Sequence, residues 1–186
     1  IYEPESLDFA TLKSWLIGLY SDRERQDVAE IYHLWKIPVC YDASFGLDLQ
    51  EVSDQNKLPA SEVIEIHSQT IYQIFSIGFL PGFLYLGGLD QRLHIDRKPS
   101  PRLQIQKGAV GIGGAQTGIY PISSPGGWQI IGNTPINLFD TAQNPPCFAR
   151  SGDKIQFVPI SLAEHQAIAN LVAAGLYPLE KEVLRA

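Results

Sequence analysis

GAVGIGGAQTGIYPISSPGGWQIIGNTP, residues 108–135, is the stretch from which the fold is read; it holds eight of the sixteen glycines. Four more lie just upstream in GFLPGFLYLGGL, residues 78–89. Glycine permits positive φ and close approach of another group, but costs roughly 0.5–1 kcal/mol relative to alanine inside regular structure. Such clustering implies that backbone is presented at a shaped site or interface, rather than side chains filling a core. The surrounding short extended runs, punctuated by Gly and Pro, predict a β-barrel or sandwich.

Neither familiar glycine-loop chemistry fits. Gly111 and Gly113 begin a dinucleotide fingerprint, but Gln116 stands where the third glycine belongs, and Pro121 and Pro125 follow without a helical pattern. No Gly-Lys-Ser or Gly-Lys-Thr occurs, so the chain carries no phosphate loop and no ATP site of its own is evident.

Outward from this stretch the period changes. Leu12, Trp15, Leu16 and Leu19 predict a helix over Ser6–Tyr20, and the mixed charges of residues 21–27 predict a solvated segment. Trp35, Ile37, Val39 and Tyr41 alternate as a strand, in which Pro38 favours an edge position. Helices are expected over Asp48–Lys57 and Ala60–Ser68, then strands over Ile71–Phe79 and Lys154–Ile160. Ser161-Leu162-Ala163-Glu164 fits a capping box that opens a last helix, with Gly175 at its end. Asn144-Pro145-Pro146 reads as a stiff turn.

FSIGFLPGFLYLGGL (75–89), PSPR (99–102), GAQTGIYPISSPGGWQIIGNTP (114–135), LFD (138–140), Pro145-Pro146 and SGDKIQFVPI (151–160) resemble, in that order, the KipI-type family. The likeness runs from about Ile37 to Ile160. Members are allophanate hydrolase subunit 1, the B-type subunit of the bacterial 5-oxoprolinase, or inhibitors of a sporulation sensor kinase. The resemblance implies an α+β chain: a small, incomplete α/β domain over 1–36, a cyclophilin-like β-barrel over 37–161, and a helix and tail over 162–186. Members begin with a further strand before the first helix, and this chain contains no methionine. Departures from the family pattern are Leu80 for threonine, Leu84 for proline, Ala115 for glycine, Ile105-Gln106-Lys107-Gly108 for Val-Pro-Ala-Gly, and Asn133 for an arginine. An amide cannot supply the planar cationic fork of a guanidinium, so Asn133 bears on ligand or partner specificity.

Composition narrows the partners. The formal charge is −6 with no Lys/Arg cluster, which argues against nucleic acid. No apolar run of about 18 residues could span a membrane, and the acidic start is unlike a signal peptide. A cytoplasmic protein is expected, with Cys40 and Cys147 reduced and buried.

Catalytic groups are sparse. There is no G-x-S-x-G elbow, neither cysteine has a histidine nearby in sequence, and His33, His67, His94 and His165 lack metal spacing, so no metal is expected. His67 reads as a structural hydrogen-bonding residue. Gln116, Thr117 and Tyr120 stand among glycine and aliphatic residues and could orient a small ligand, with Arg102 between prolines as a fixed cation for a carboxylate. The alternative is a buried polar network bracing a barrel mouth. Phe79, Pro81 and Gly82, together with Asn133, suit a partner surface or pocket lip, whereas Phe83 and Tyr85 suit core packing and Trp128 fits either. The resemblance then implies a non-autonomous subunit of an ATP-dependent 5-oxoprolinase, which opens 5-oxoproline to glutamate beside two partner proteins, one A-type and one C-type (KipA-like). It also leaves open a sensor histidine kinase inhibitor and a component of an allophanate hydrolase or urea carboxyltransferase.

Overall fold

Residues 8–21 and 31–185 are described by the computed structural model, and the chain divides into two units between residues 30 and 31. In the first, α1 (Phe9–Ser21) opens on Asp8, whose carboxylate accepts the Thr11 N–H at 3.0 Å and the Thr11 hydroxyl at 2.7 Å. The charged residues expected to be solvated fall, from Asp22 onward, outside the described residues.

The second unit begins with β1 (Ile31–Cys40), so residues 31–36 belong to the barrel and not to the amino-terminal unit. Trp35, Ile37, Val39 and Tyr41 enter the main core, as their alternation predicts. The strands β2 (Ile71–Ile77), β3 (Leu84–Gly87), β5 (Ala109–Gly113), β6 (Gln116–Ile119), β8 (Gln129–Asn133) and β9 (Lys154–Ile160) join β1 in the cyclic order β1-β8-β5-β6-β3-β2-β9 and back to β1. The closing β1–β9 pair is parallel; the other pairings are antiparallel. Closure removes the edges that an open sheet would expose. The α+β class and the closed barrel are therefore as expected.

Pro38 is not on an edge strand, because β1 has β9 on one side and, on the other, β8 at Cys40 and β10 (Lys181–Arg185) along Ile31–Trp35. The Lys36 N–H faces the latter side, donating to Glu180 O. The Pro38 nitrogen, two residues on, therefore faces the interval between the β10 and β8 pairings, where no ladder bond is lost.

Inside the barrel, Tyr72, Ile74, Leu84, Leu86, Val110 and Ile112 meet the inner face of β1. The helices α2 (Leu49–Asn56) and α3 (Ala60–Gln69) add Val52, Val63 and Ile66 to the same core. Outside, a second layer of Phe83, Ile105, Ala109, Tyr120, Trp128 and Ile130 is buried with the two-stranded ribbon of β4 (Arg102–Ile105) and β7 (Ser124–Gly126). This layer corrects the reading of the glycine run. A Cβ at Gly113 would lie 2.6 Å from the Trp128 ring, and one at Gly118 would lie 2.7 Å from Leu84 O and 2.9 Å from Trp128. These glycines are buried and make room for aromatic rings, so the run serves a core after all, through the side chains it lacks.

The last helix, α4 (Leu162–Ala173), carries the expected capping box between Ser161 and Glu164. It ends at Gly175, φ +70, with the Gly175 N–H bonded to Val172 O and the Leu176 N–H to Leu171 O. Cys40 is buried, Cys147 is half-buried, and both are free thiols.

Candidate functional site

Arg102 is not a free cation. Its guanidinium donates to both oxygens of Asp48 at 2.8 and 2.6 Å, and Lys98 approaches the same carboxylate at 3.0 Å. Asp48 is buried just ahead of α2 and also accepts the Ile130 N–H at 2.6 Å. Burial would raise its carboxyl, but the bonds from Arg102, Ile130 and Lys98 hold it below the usual carboxylate range. The PSPR segment thus ties the ribbon to α2 and to the barrel.

Thr117 is fully buried inside the barrel. Its hydroxyl donates to Gly111 O at 2.9 Å, so its oxygen accepts from His67 Nε2, 2.9 Å away. His67 Nδ1 is then the acceptor for the Tyr41 hydroxyl at 2.8 Å, and the Tyr72 hydroxyl donates to His67 O. Burial pushes the His67 imidazole down to about 3, so it stays neutral. Every polar atom in this chain of bonds is occupied, which makes it a brace, as read for His67; Thr117 has no face left for a ligand. Tyr120 is likewise enclosed, packing edge-on against Phe83 in the outer layer.

Gln116 is half-buried at the start of β6, opposite Gly113. The structure does not bring Arg102, Gln116, Thr117 and Tyr120 to one wall, because β-alternation and the ribbon distribute them among three layers. Between β2 and β3, Phe79 holds φ +67, unusual for a side chain without a short polar group, and is largely exposed. Gly82 tucks against Leu138 and Phe139, while Pro81 is exposed beside it. Phe83 lies in the outer layer with Tyr85 packed on it. Phe75 is exposed on the same hairpin.

Asn133, by contrast, stands where two cavities meet. It ends β8, between Cys40 of β1 and Ala109 of β5. One cavity, about 300 Å³, is lined by Ser44, Phe45, Gln104, Gln106 and Ile130 as well as Asn133. The other, about 400 Å³, is lined by Lys107, Asn137, His165, Ile136 and Val172. Asn133 Nδ2 donates to Lys107 O at 2.9 Å, so Oδ1 is the acceptor for His165 Nε2, also at 2.9 Å. The His165 ring packs 4.4 Å from that of Phe45, and its burial lowers the imidazole pKa. Lys107 Nζ donates to Asn137 Oδ1.

This cleft gathers amides, a neutral imidazole and one ammonium over an apolar floor, a composition suited to a small polar ligand. Two departures from the sequence pattern, Lys107 and Asn133, border it together: the cation missing at 133 is present at 107. His165 and Asn137 escaped the sequence reading. The capping box that starts α4 does fix which helical turn carries His165, but not that this turn faces Asn133. Among the described residues no group of His, Cys, Asp or Glu is arranged to hold a metal ion, and no helix is long and apolar enough to cross a membrane.

Residues 1–149 match the family model for the carboxyltransferase domain, subdomain C and D. The chain is 49% identical over 145 residues to the B-type subunit of 5-oxoprolinase from Bacillus subtilis, covering 76% of this chain and 60% of that protein. It is 48% identical over 124 residues to the same 5-oxoprolinase component of Escherichia coli O157:H7, covering 67% and 57% respectively. It thus spans less than two thirds of either relative. A conserved uncharacterized protein of Pyrococcus horikoshii superposes with a TM-score of 0.69 at 42% identity, over 89% of this chain and 75% of that one. The chain belongs to the carboxyltransferase domain family, in its subdomain C and D part.

Proposed function

We propose that this chain is a subunit of a cytoplasmic, ATP-dependent 5-oxoprolinase that acts only with its A-type and C-type partner proteins. The observation that carries the reading is the 49% identity to a protein named as the B-type subunit of 5-oxoprolinase. The site chemistry agrees. Among the described residues, the buried histidine of the barrel is fully engaged, and burial raises the Cys147 thiol, which disfavours the thiolate. A cleft of amides and an ammonium can bind and orient a lactam carboxylate without itself opening the ring. Phosphoryl chemistry and ring opening fall to the partners. The exposed Phe75 and Phe79 on the β2–β3 hairpin supply an aromatic surface for one of them.

The test is ATP-dependent glutamate release from 5-oxoproline by the full chain mixed with the two proteins encoded beside it, each omitted in turn. Activity that needs all three supports the subunit reading. A stable but silent three-protein complex would remove it and point to another amide or to kinase regulation.

A further inference from the structure

Lys107, Asn137 and His165 form a surface whose donors and acceptors are not all used. His165 Nε2–H is committed to Asn133, and among the described residues Nδ1 has no partner. Nδ1 is not one of the sealed, unsatisfied polar atoms, so in the neutral ring it is an acceptor open to solvent, on a residue that lines the cavity. Among the described residues, Lys107 is the one ordinary cation lining that cavity, no carboxylate lines it, and the ammonium is met only by the Asn137 amide oxygen. The Asn137 Nδ2 donors have no partner among the described residues. Ile136, Ala169, Val172 and Ala173 supply the apolar remainder. A complementary ligand presents a carboxylate, an N–H donor and a carbonyl acceptor on a small apolar frame.

We propose that the cleft between the end of β8 and α4 binds a lactam carboxylate, with the carboxylate on Lys107, the ring N–H on His165 Nδ1 and the ring carbonyl on Asn137 Nδ2. This assignment rests on the 5-oxoprolinase reading for the identity of the ligand, and it replaces Arg102, Gln116 and Tyr120 in the roles their sequence context gave them. Lys107 sets specificity for the carboxylate; His165 and Asn133 set the orientation, since Asn133 fixes the tautomer that leaves Nδ1 open.

The full chain, alone, is titrated with 5-oxoproline and with 2-pyrrolidone, which has the same ring and lacks the carboxylate. Binding is read by calorimetry and by the imidazole NMR signals of His165, identified by their loss in His165→Gln. Saturable movement of the His165 signals is expected. Both removal of the carboxylate and Lys107→Ala should weaken binding about tenfold or more, as for loss of one charge-assisted contact. Lys154→Ala, an exposed lysine on β9, should not. Unmoved His165 signals, or native affinity in Lys107→Ala, would overturn the site. The two readings fail separately. An active three-protein mixture with unchanged KM in Lys107→Ala removes the site and leaves the activity; an inactive mixture whose cleft binds 5-oxoproline through Lys107 removes the activity and leaves the site.

Discussion

Position 113 is glycine because the Trp128 ring occupies the place of a side chain: a methyl there would lie 2.6 Å from the indole. Trp128 is enclosed by Phe83 and Tyr85 as well, so it has little room to retreat. Gly113→Ala should therefore lower stability by about 1–3 kcal/mol, the usual range for overpacking, and alter Trp128 emission. A wild-type denaturation midpoint would refute it. His67 is the other residue with a measurable signature. Folded, it protonates near 3; unfolded, near its ordinary 6.5. Between these values the unfolded chain binds the extra proton, so stability is fully present above about pH 6.5 and falls as pH decreases, by up to about 1.4 kcal/mol per pH unit for one group. His165, also lowered by burial, adds a slope of the same sign. Urea denaturation between about pH 5 and 6.5 should show this dependence, and His67→Gln should make it shallower without abolishing it. Glycine at 113 was legible as a demand for space; that the demand came from Trp128 and not from a ligand was not, since both leave the same letter in the sequence.

Elements with local causes were legible. Helices α2 and α3 and the capped start of α4 lie within a residue or so of their expected bounds, because apolar period and caps are written in adjacent positions. Elements made by distant pairing were not. The ribbon of β4 and β7 joins Arg102 to Gly126 and Ile105 to Ser124, and nothing in either segment alone names the other. Arg102 shows the cost of this. Read locally, it is a cation held between prolines; in the fold it closes on Asp48, 54 residues away. Arg102→Ala should thus cost stability, by about 2–3 kcal/mol, below the range for severing a wholly buried pair, because the guanidinium is partly exposed and Lys98 stays at 3.0 Å from the carboxylate. Thermal or urea unfolding measures it. Removing both charges in Arg102→Met with Asp48→Asn should recover part of the loss, which a role confined to ligand binding would not produce.

At the scale of the molecule, the barrel closes through β1 and β9, the first and last strands of the ring along the chain: Leu34 pairs with Lys154 and Cys40 with Ile160. The alternation of each strand is local, but their parallel register is set only when the whole sheet has wrapped. That is why the sequence supports a barrel or sandwich equally until a resemblance or the coordinates decide. β10 has a different standing. It adds to β1 outside the closed ring and has one neighbour, so its outer backbone groups face no strand among the described residues. Beyond that single ladder, side-chain contacts fasten it: Lys36 bridges Glu180 at 2.6 Å and Glu182 at 2.8 Å, and the Lys181 ammonium lies 5.1 Å from the Trp35 ring centre. Exposed ion pairs contribute only about 0–1 kcal/mol and weaken with salt. The barrel and β10 should therefore open separately. Hydrogen exchange followed by mass spectrometry should show Lys181–Leu184 exchanging well before Ile155–Val158, with added salt widening the gap. Equal protection of the two strands would mean that β10 is part of the cooperative barrel, and that closure through β1 and β9 alone does not hold the molecule.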